Sequence, residues 1–459
     1  MLIAKRCKGE GVSFDALIIA TSPAAKTSVA GISLLERAIR CARRVGAERV
    51  VVVEKAWPQT GGQLSQELVG ATKVLVIRAD QMVHPPLLQP MLALLDAGTN
   101  DAVLAIAPAT PVASDVVPGD YAGALVVRGD HVARVLQQIT DGNDDVAVAQ
   151  TLRAAGAGLA PHGEIARHPV TTAVERAAAH RLLYRILVKP QDNVITKYMY
   201  RPISFPLTVL FSKTPITPNQ ISYITAVLVA IGCYLSAQGS MNSAIAGTAI
   251  ILAASYVDCC DGEIARLKLL SSRWGAWLDT IIDEFSSVGY MIAIGWHGHL
   301  YFGPDFFGQG VRVAGMDLWV LAIVVSTVTY LVSIYAVYFN IIVVVGSANS
   351  QDYVGEFEVV PGAGLDEVRL QPAATQAISA DHLPAPIKFL ATYLPYVIRR
   401  DFICWAALGL AFAHLTHIAF AALVLGGAAT SVIVVRDHIK LRLQLGRIRA
   451  QGKILIRYV

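Results

Sequence analysis

Six long apolar stretches occupy the second half of this chain, near Ile221–Ala237, Ser243–Val257, Trp274–Gly295, Leu318–Val345, Phe402–His414 and Ile418–Val435. A helix that crosses a bilayer needs about 20 apolar residues, so the shorter runs borrow flanking residues and six crossings are expected. Of the 459 residues, 54% are hydrophobic and only 16% charged, too apolar for one ordinary soluble domain. Charge is denser over the first 215 positions, so a soluble front is expected ahead of a membrane back. The net charge of +4 is small and scattered. It implies no nucleic-acid surface, only a modest attraction to anionic head groups or phosphorylated substrates.

An even number of crossings puts both ends on one side, and basic residues decide which. Arg266, Lys268 and Arg273 fall between the second and third stretches, and Arg369, Lys388, Arg399 and Arg400 between the fourth and fifth. The tail adds Arg436, Lys440, Arg442, Arg447, Arg449, Lys453 and Arg457, against Arg312 alone on the other side. The positive-inside rule therefore predicts a multi-pass protein of the cytoplasmic membrane with both termini and the loop around Arg266 in the cytosol. Met1–Glu10 carries charge with no apolar core behind it, so no signal peptide is expected. Six cysteines, Cys7, Cys41, Cys233, Cys259, Cys260 and Cys404, show no disulfide spacing and read as small buried hydrophobes.

From Asp15 to about Arg185 short β-branched runs alternate with amphipathic segments: ALIIA at Ala16, LLERAIRCARRVGA at Leu34, VVVVE ending at Glu54, VLVIRAD ending at Asp80 and LLQPMLALLDAG at Leu87. Further strands are expected at Ala102–Ala107 and Ala124–Val127, which makes an α/β domain with one parallel-rich sheet. From Val174 to Ser212 a helical pattern broken at Pro190 and Pro202 mixes Lys189, Lys197, Arg201 and Lys213 with Tyr198, Tyr200, Phe205 and Phe211. That mixture favours a membrane interface. The expected organisation is a cytosolic α/β domain over residues 1–185, a juxtamembrane amphipathic segment over 186–214 and an all-α, six-helix membrane domain over 215–459.

One segment, DCCDGEIARLKLLSSRWGAWLDTIIDEF, concentrates the chemistry. Asp258 and Asp261 are three apart, and Asp279 and Asp283 four apart, so each pair shares a helix face. If the loop between them turns the second helix back on the first, all four carboxylates converge. Ionised carboxylates at a membrane helix end are costly unless neutralised, and hard oxygen ligands suit two ions of Mg²⁺ or Mn²⁺ that bridge a pyrophosphate. Gly262 and Ala265, one turn apart, leave a groove for a flat base or a phosphate, and Arg266 offers a fork of donors to phosphate oxygens. A cation transporter built on the same carboxylates is the remote alternative, and the chain lacks the internal repeat it would carry.

The segment resembles the signature of the CDP-alcohol phosphotransferases, Asp-x-x-Asp-Gly-x-x-Ala-Arg, eight residues, Gly, three residues, Asp, three residues, Asp, and meets every fixed position. TPNQIS at Thr217 is similar to that family's approach to its first membrane helix, and RRDF at Arg399 to the start of its fifth. The resemblance implies transfer of a substituted phosphate from a CDP-alcohol to an acceptor alcohol with release of CMP. It implies that Asp258, Asp261 and Asp279 hold the metals, that Asp283 touches metal and acts as base, and that Gly262, Ala265 and Arg266, with Gly275 and Asn219, contact the CDP moiety. It also implies a homodimer among membrane lipids, and an acceptor that is a polyol phosphate or a lipid. Arg201, Arg273, Arg399, Arg400 and Arg436 are the candidates for gripping that acceptor.

The front resembles the nucleotidyltransferase domain fused to this membrane domain in proteins that make CDP-inositol and then use it. Asp80 takes the place where such domains often hold a metal aspartate. After Ala20 a Gly-rich turn with a basic residue is expected, because bare backbone amides wrap a triphosphate. The chain reads TSPAAKTSVAG instead, with Pro23 in the turn and Lys26 as the basic remnant. A front that no longer transfers nucleotides is the favoured expectation, and a bifunctional enzyme that makes its own CDP-alcohol from CTP the alternative.

Overall fold

The computed structural model describes residues 14–54, 68, 70–109, 117–188, 194–347, 352–362, 364, 367–373 and 400–456. The N-terminal part is a six-stranded sheet in the order β4-β1-β5-β8-β7-β9, with β1 at Phe14–Ile19, β4 at Ala47–Val53, β5 at Lys73–Arg78, β7 at Ala102–Ile106, β8 at Tyr121–Arg128 and β9 at Gly158–Pro161. Two short pairs accompany it: β2 (Ser28–Val29) with β3 (Ile32–Ser33), and β6 (Gln81–Val83) with β10 (Arg167–Pro169). The pairs β1/β4, β1/β5 and β7/β9 are parallel, while β8 runs antiparallel to both neighbours. The sheet is therefore mixed, parallel-rich at the edge where β1 and β5 end beside the TSPAAK turn and Asp80.

Helices α1 (Leu34–Arg44), α2 (Gln89–Asp96), α3 (Asp130–Thr140), α4 (Asp145–Ala154) and α5 (Ala173–Tyr184) surround this sheet. Both sheet faces are covered: Ala16, Ile18, Leu75 and Ile77 face the side of α1, and Leu17, Val74, Val76 and Leu125 the side of α3 and α4. The alternation along β1 is the period of two that a strand imposes. Pro202, expected to break a helix, falls instead in the first turn of α6 (Arg201–Ser212), which follows directly on the wider helical turn Thr196–Tyr200, so the chain stays helical across it. This helix buries Ser204, Thr208 and Ser212, and leaves Ile203 and Leu210 at 47% and 59% exposure. A small polar stripe packed inward with apolar side chains outward is the reverse of a soluble helix, and suits a lipid boundary.

The C-terminal part is helical: α7 (Pro218–Ser236), α8 (Met241–Leu267), α9 (Arg273–Phe302), α10 (Leu318–Tyr338), α11 (Arg400–Phe412) and α12 (Thr416–Ala450). Among the described residues four helical spans are long and apolar enough to cross a membrane: Pro218–Ser236, Met241–Leu267, Leu318–Val345 and Thr416–Ala450. Exposed Val227, Tyr234, Val328, Leu425 and Val432 coat the outer faces of the first, third and fourth of these, as lipid contact requires. Helix α9 carries Asp279, Asp283 and Glu284 in its first half. A small sheet that the apolar pattern did not announce, β11 (Phe357–Pro361), β12 (Glu367–Pro372) and β13 (Ile454–Ile456), packs Phe357, Val368 and Leu370 on Leu441 and Ile448 of α12. The free cysteines Cys41, Cys233, Cys259, Cys260 and Cys404 carry no disulfide, and Cys7 lies outside the described residues.

Candidate active site

The site grows from a helical hairpin. Helix α8 runs unbroken through Asp258, Asp261, Gly262, Ala265 and Arg266 to Leu267. Leu269, at φ 56°, then reverses the chain in the left-handed region, and Ser272 Oγ accepts the Gly275 N–H at 2.9 Å to start α9. Lys268 secures the turn by donating to the carbonyls of Thr214 at 2.6 Å and Ile216 at 3.0 Å. Thr217 and Gln220 form a capping box at the start of α7, which brings that helix against both arms of the hairpin.

One carboxylate oxygen each from Asp258, Asp261 and Asp279 lies within 4.8 Å of the others. Three hard oxygens from two helices at that separation fit a divalent cation of the Mg²⁺ or Mn²⁺ class. Ser222 of α7 donates to Asp261 Oδ2 at 2.6 Å, with both side chains buried. Asp283 is not in this trio among the described residues; the Arg400 guanidinium bridges it, donating to Asp283 Oδ1 and Asp258 Oδ2. The expected four-carboxylate convergence is thus three plus one. Asp283 stands a full turn beyond Asp279, about 6 Å along α9, where the first residue of α11 meets it. Beside this bridge a cavity of about 20 Å³, room for roughly one water, is lined by Thr225, Ser255, Asp258, Asp283, Ser286 and Arg400.

The nucleotide candidates occupy the adjoining surface. A Cβ added to Gly262 would meet only Arg266 Nη1, at 3.5 Å, so this flank of α8 is open under that guanidinium. A Cβ on Gly275 would stand 3.0 Å from Asn219 Oδ1, so the glycine lets Asn219 approach the start of α9. The basic candidates scatter. Arg201 donates to the buried Glu263, which also accepts from Thr208 Oγ1. Arg436 pairs with Glu356 at 3.0 Å, and Arg273 is exposed at the start of α9. Among the four that are described, Arg400 reaches the trio through its bond to Asp258, and Arg399 lies outside the described residues. Asp401, next to Arg400, accepts from Thr196 Oγ1 at 3.0 Å.

Residue-type reasoning overlooked three partners: Ser222 on Asp261, Glu263 as the seat of Arg201, and Glu284, which accepts from Tyr330 at 2.7 Å and Tyr338 at 3.0 Å. Ser222 could have been found, since it follows Thr217 inside TPNQIS on a helix that must face the carboxylates. In the N-terminal part, Asp80 is paired at two points with Arg78, which also comes within 3.8 Å of Asp145. Burial pushes the Asp145 carboxyl up to about 6. Lys26 is exposed at the end of the short turn Pro23–Lys26.

Residues 215–411 match the family model described as CDP-alcohol phosphatidyltransferase, so the resemblance read from the carboxylate segment is shown for this part of the chain. A bifunctional IPC transferase and DIPP synthase from Rubrobacter xylanophilus is 37% identical over 95 residues, 21% of either chain. Another of the same description from Thermococcus kodakarensis is 27% identical over 161 residues, 35% of this chain and 36% of its own. The chain therefore matches about a fifth to a third of the length of these relatives. Among solved structures, 4-diphosphocytidyl-2C-methyl-D-erythritol synthase from Anaerococcus prevotii aligns with 38% of this chain and 99% of its own at 16% identity, with a TM-score of 0.30.

Proposed function

We propose that the protein moves a substituted phosphate from a CDP-alcohol to an acceptor alcohol and releases CMP. The observation that carries this reading is the convergence of Asp258, Asp261 and Asp279 from two helices within the segment that matches the CDP-alcohol phosphatidyltransferase family. These three aspartates would hold divalent metal, Mg²⁺ or Mn²⁺, which when bound neutralises the pyrophosphate and the departing charge. Gly262, Ala265, Arg266, Asn219 and Gly275 line the CDP side. The acceptor oxygen bonds to the phosphorus that bears the transferred group, the bond from that phosphorus to the bridging oxygen breaks, and CMP leaves with that oxygen. The acceptor proton passes to Asp283, whose Oδ1 is oriented by Arg400.

The wider assembly follows from the same reading: six crossings, residues 186–214 along the interface, residues 1–185 in the cytosol, and a homodimer. Pairing of β12 with β13 supports one side for the loop after α10 and the tail. The double description of the relatives supports a variant in which the N-terminal part also makes the CDP-alcohol, whereas the Arg78–Asp80 pair weighs against it. Purified protein with Mn²⁺, a panel of CDP-alcohols including CDP-inositol and CDP-diacylglycerol, and polyol phosphate or lipid acceptors should release CMP. No CMP from any combination refutes the reading. Pyrophosphate from CTP and inositol 1-phosphate would establish the bifunctional variant.

A further inference from the structure

The segment where a nucleotidyltransferase would wrap a triphosphate does something else in this fold. After the Pro23–Lys26 turn, β2 and β3 form a two-residue hairpin whose tip, Ala30 at φ 50° and Gly31 at φ 80°, has the left-handed pair of a type I′ turn. Val29 and Ala30 are fully buried among Leu182 and Leu183 of α5 and Ile264 and Leu267 of α8. The Ala30 N–H is given to His180 Nδ1 at 3.3 Å. Gly31 approaches α6 so closely that a Cβ would lie 1.7 Å from the Ser212 carbonyl oxygen. This hairpin is a plug.

Two arginines of α1 extend the contact. Arg37, wholly buried, donates from Nη2 to the carbonyls of Val29 at 3.2 Å and Leu267 at 2.9 Å. Arg40 donates to the Lys268 carbonyl at 2.8 Å and is steadied by Glu36 at 2.7 Å. Leu267 and Lys268 end α8, where helix carbonyls lack partners and cations are favoured. A buried guanidinium whose Nε and Nη1 find no partner among the described residues is a poor source of stability, yet it specifies one position sharply. The position it specifies is the end of the helix that carries Asp258 and Asp261, at the turn into the helix that carries Asp279 and Asp283.

We propose that the hairpin of residues 28–33, with Arg37 and Arg40, is a docking device through which the N-terminal part positions the α8–α9 carboxylates, so that this part acts as a built-in positioning subunit of the transfer site. Arg37 and Arg40 are positioning residues: they touch backbone at the helix end and act through it, and a carboxylate displaced by 1 Å loses most of its rate advantage. The inference rests on the proposed transfer reaction, and its test separates the two.

Full-length protein in detergent would be compared as wild type, Arg40→Met, Arg40→Lys and Gly31→Val, with CMP release and hydrogen exchange of residues 262–275 measured together. Wild-type CMP release tests the reaction itself. Arg40→Met should speed exchange at the α8 end and lower kcat at least fivefold with the KM for CDP-alcohol within twofold of wild type; Arg40→Lys should keep at least half of the kcat. Gly31→Val should show the same pattern more strongly. Because Arg40 lies at the edge of the contact, its variants decide the matter if Gly31→Val fails to fold. In Arg40→Met, faster exchange with unchanged kcat, or unchanged exchange at the α8 end, overturns the proposal. Protection of residues 20–33 by CTP and Mn²⁺ in the wild type overturns it as well, since the plug would then be a working phosphate loop.

Discussion

Replacing Ser222 by alanine removes one hydroxyl from the proposed metal site without touching a carboxylate. Ser222 Oγ donates to Asp261 Oδ2 at 2.6 Å, and both side chains are buried, at 3% and 7% exposure. A hydrogen bond to a charged group is worth about 1.5–3 kcal/mol, and at 1.4 kcal/mol per decade that is a factor of roughly 10 to 100. The loss falls on the orientation of Asp261 as a ligand, because α7 has no other hydrogen bond to that carboxylate among those described. Groups that orient metal ligands from behind cost about 10- to 100-fold in affinity when removed. Ser222→Ala should therefore raise the Mn²⁺ concentration for half-maximal CMP release by that factor and recover most of its kcat at saturating metal. Calorimetric titration with Mn²⁺ should show the same weakening without turnover. A Mn²⁺ affinity within twofold of wild type would refute the argument that Asp261 is a metal ligand positioned by Ser222.

Asp283→Asn should abolish CMP release while Mn²⁺ and CDP-alcohol still bind by calorimetry, since a proton acceptor is needed for attack and not for donor affinity; more than a few per cent residual activity would count against the role. Gly275→Ala should weaken CDP-alcohol binding severalfold, because its new Cβ would stand 3.0 Å from Asn219 Oδ1 and 3.1 Å from Ser272 Oγ, and an unchanged KM for the donor would remove Asn219 from the nucleotide contacts. Burial, with Arg37 and Arg44 nearby, lowers the His84 imidazole to about 4, so the unfolded chain takes a proton that the folded chain refuses. Its contribution is complete above pH 6.5 and is lost as pH falls towards 4, by up to about 3 kcal/mol; the melting midpoint of the N-terminal part should drop over that window, less so in His84→Gln.

Local chemistry was enough to place much of this molecule. Short β-branched runs such as FDALII and KVLVIR became adjacent parallel strands, buried on both faces, and LLERAIRCARR became α1, because a strand or helix is selected by residues close to each other in the chain. The carboxylate spacing likewise fixed which aspartates share a helix face, since helix geometry alone decides that. What the residues could not state was the distance between faces. That Asp258, Asp261 and Asp279 form the trio while Asp283 goes to Arg400 depends on how α8, α9 and α11 pack, and the first residue of α11 is separated by 117 positions from its aspartate. Ser222 on Asp261 and Arg201 on Glu263 are contacts of the same long-range kind. The hairpin of residues 28–33 is the sharpest case: its sequence says only that glycines expected for a phosphate loop are missing. Its use as a plug against Ser212 and Leu267 exists only once the sheet, α5 and the membrane helices have met, because burial is a property of the assembled surfaces and not of any one segment.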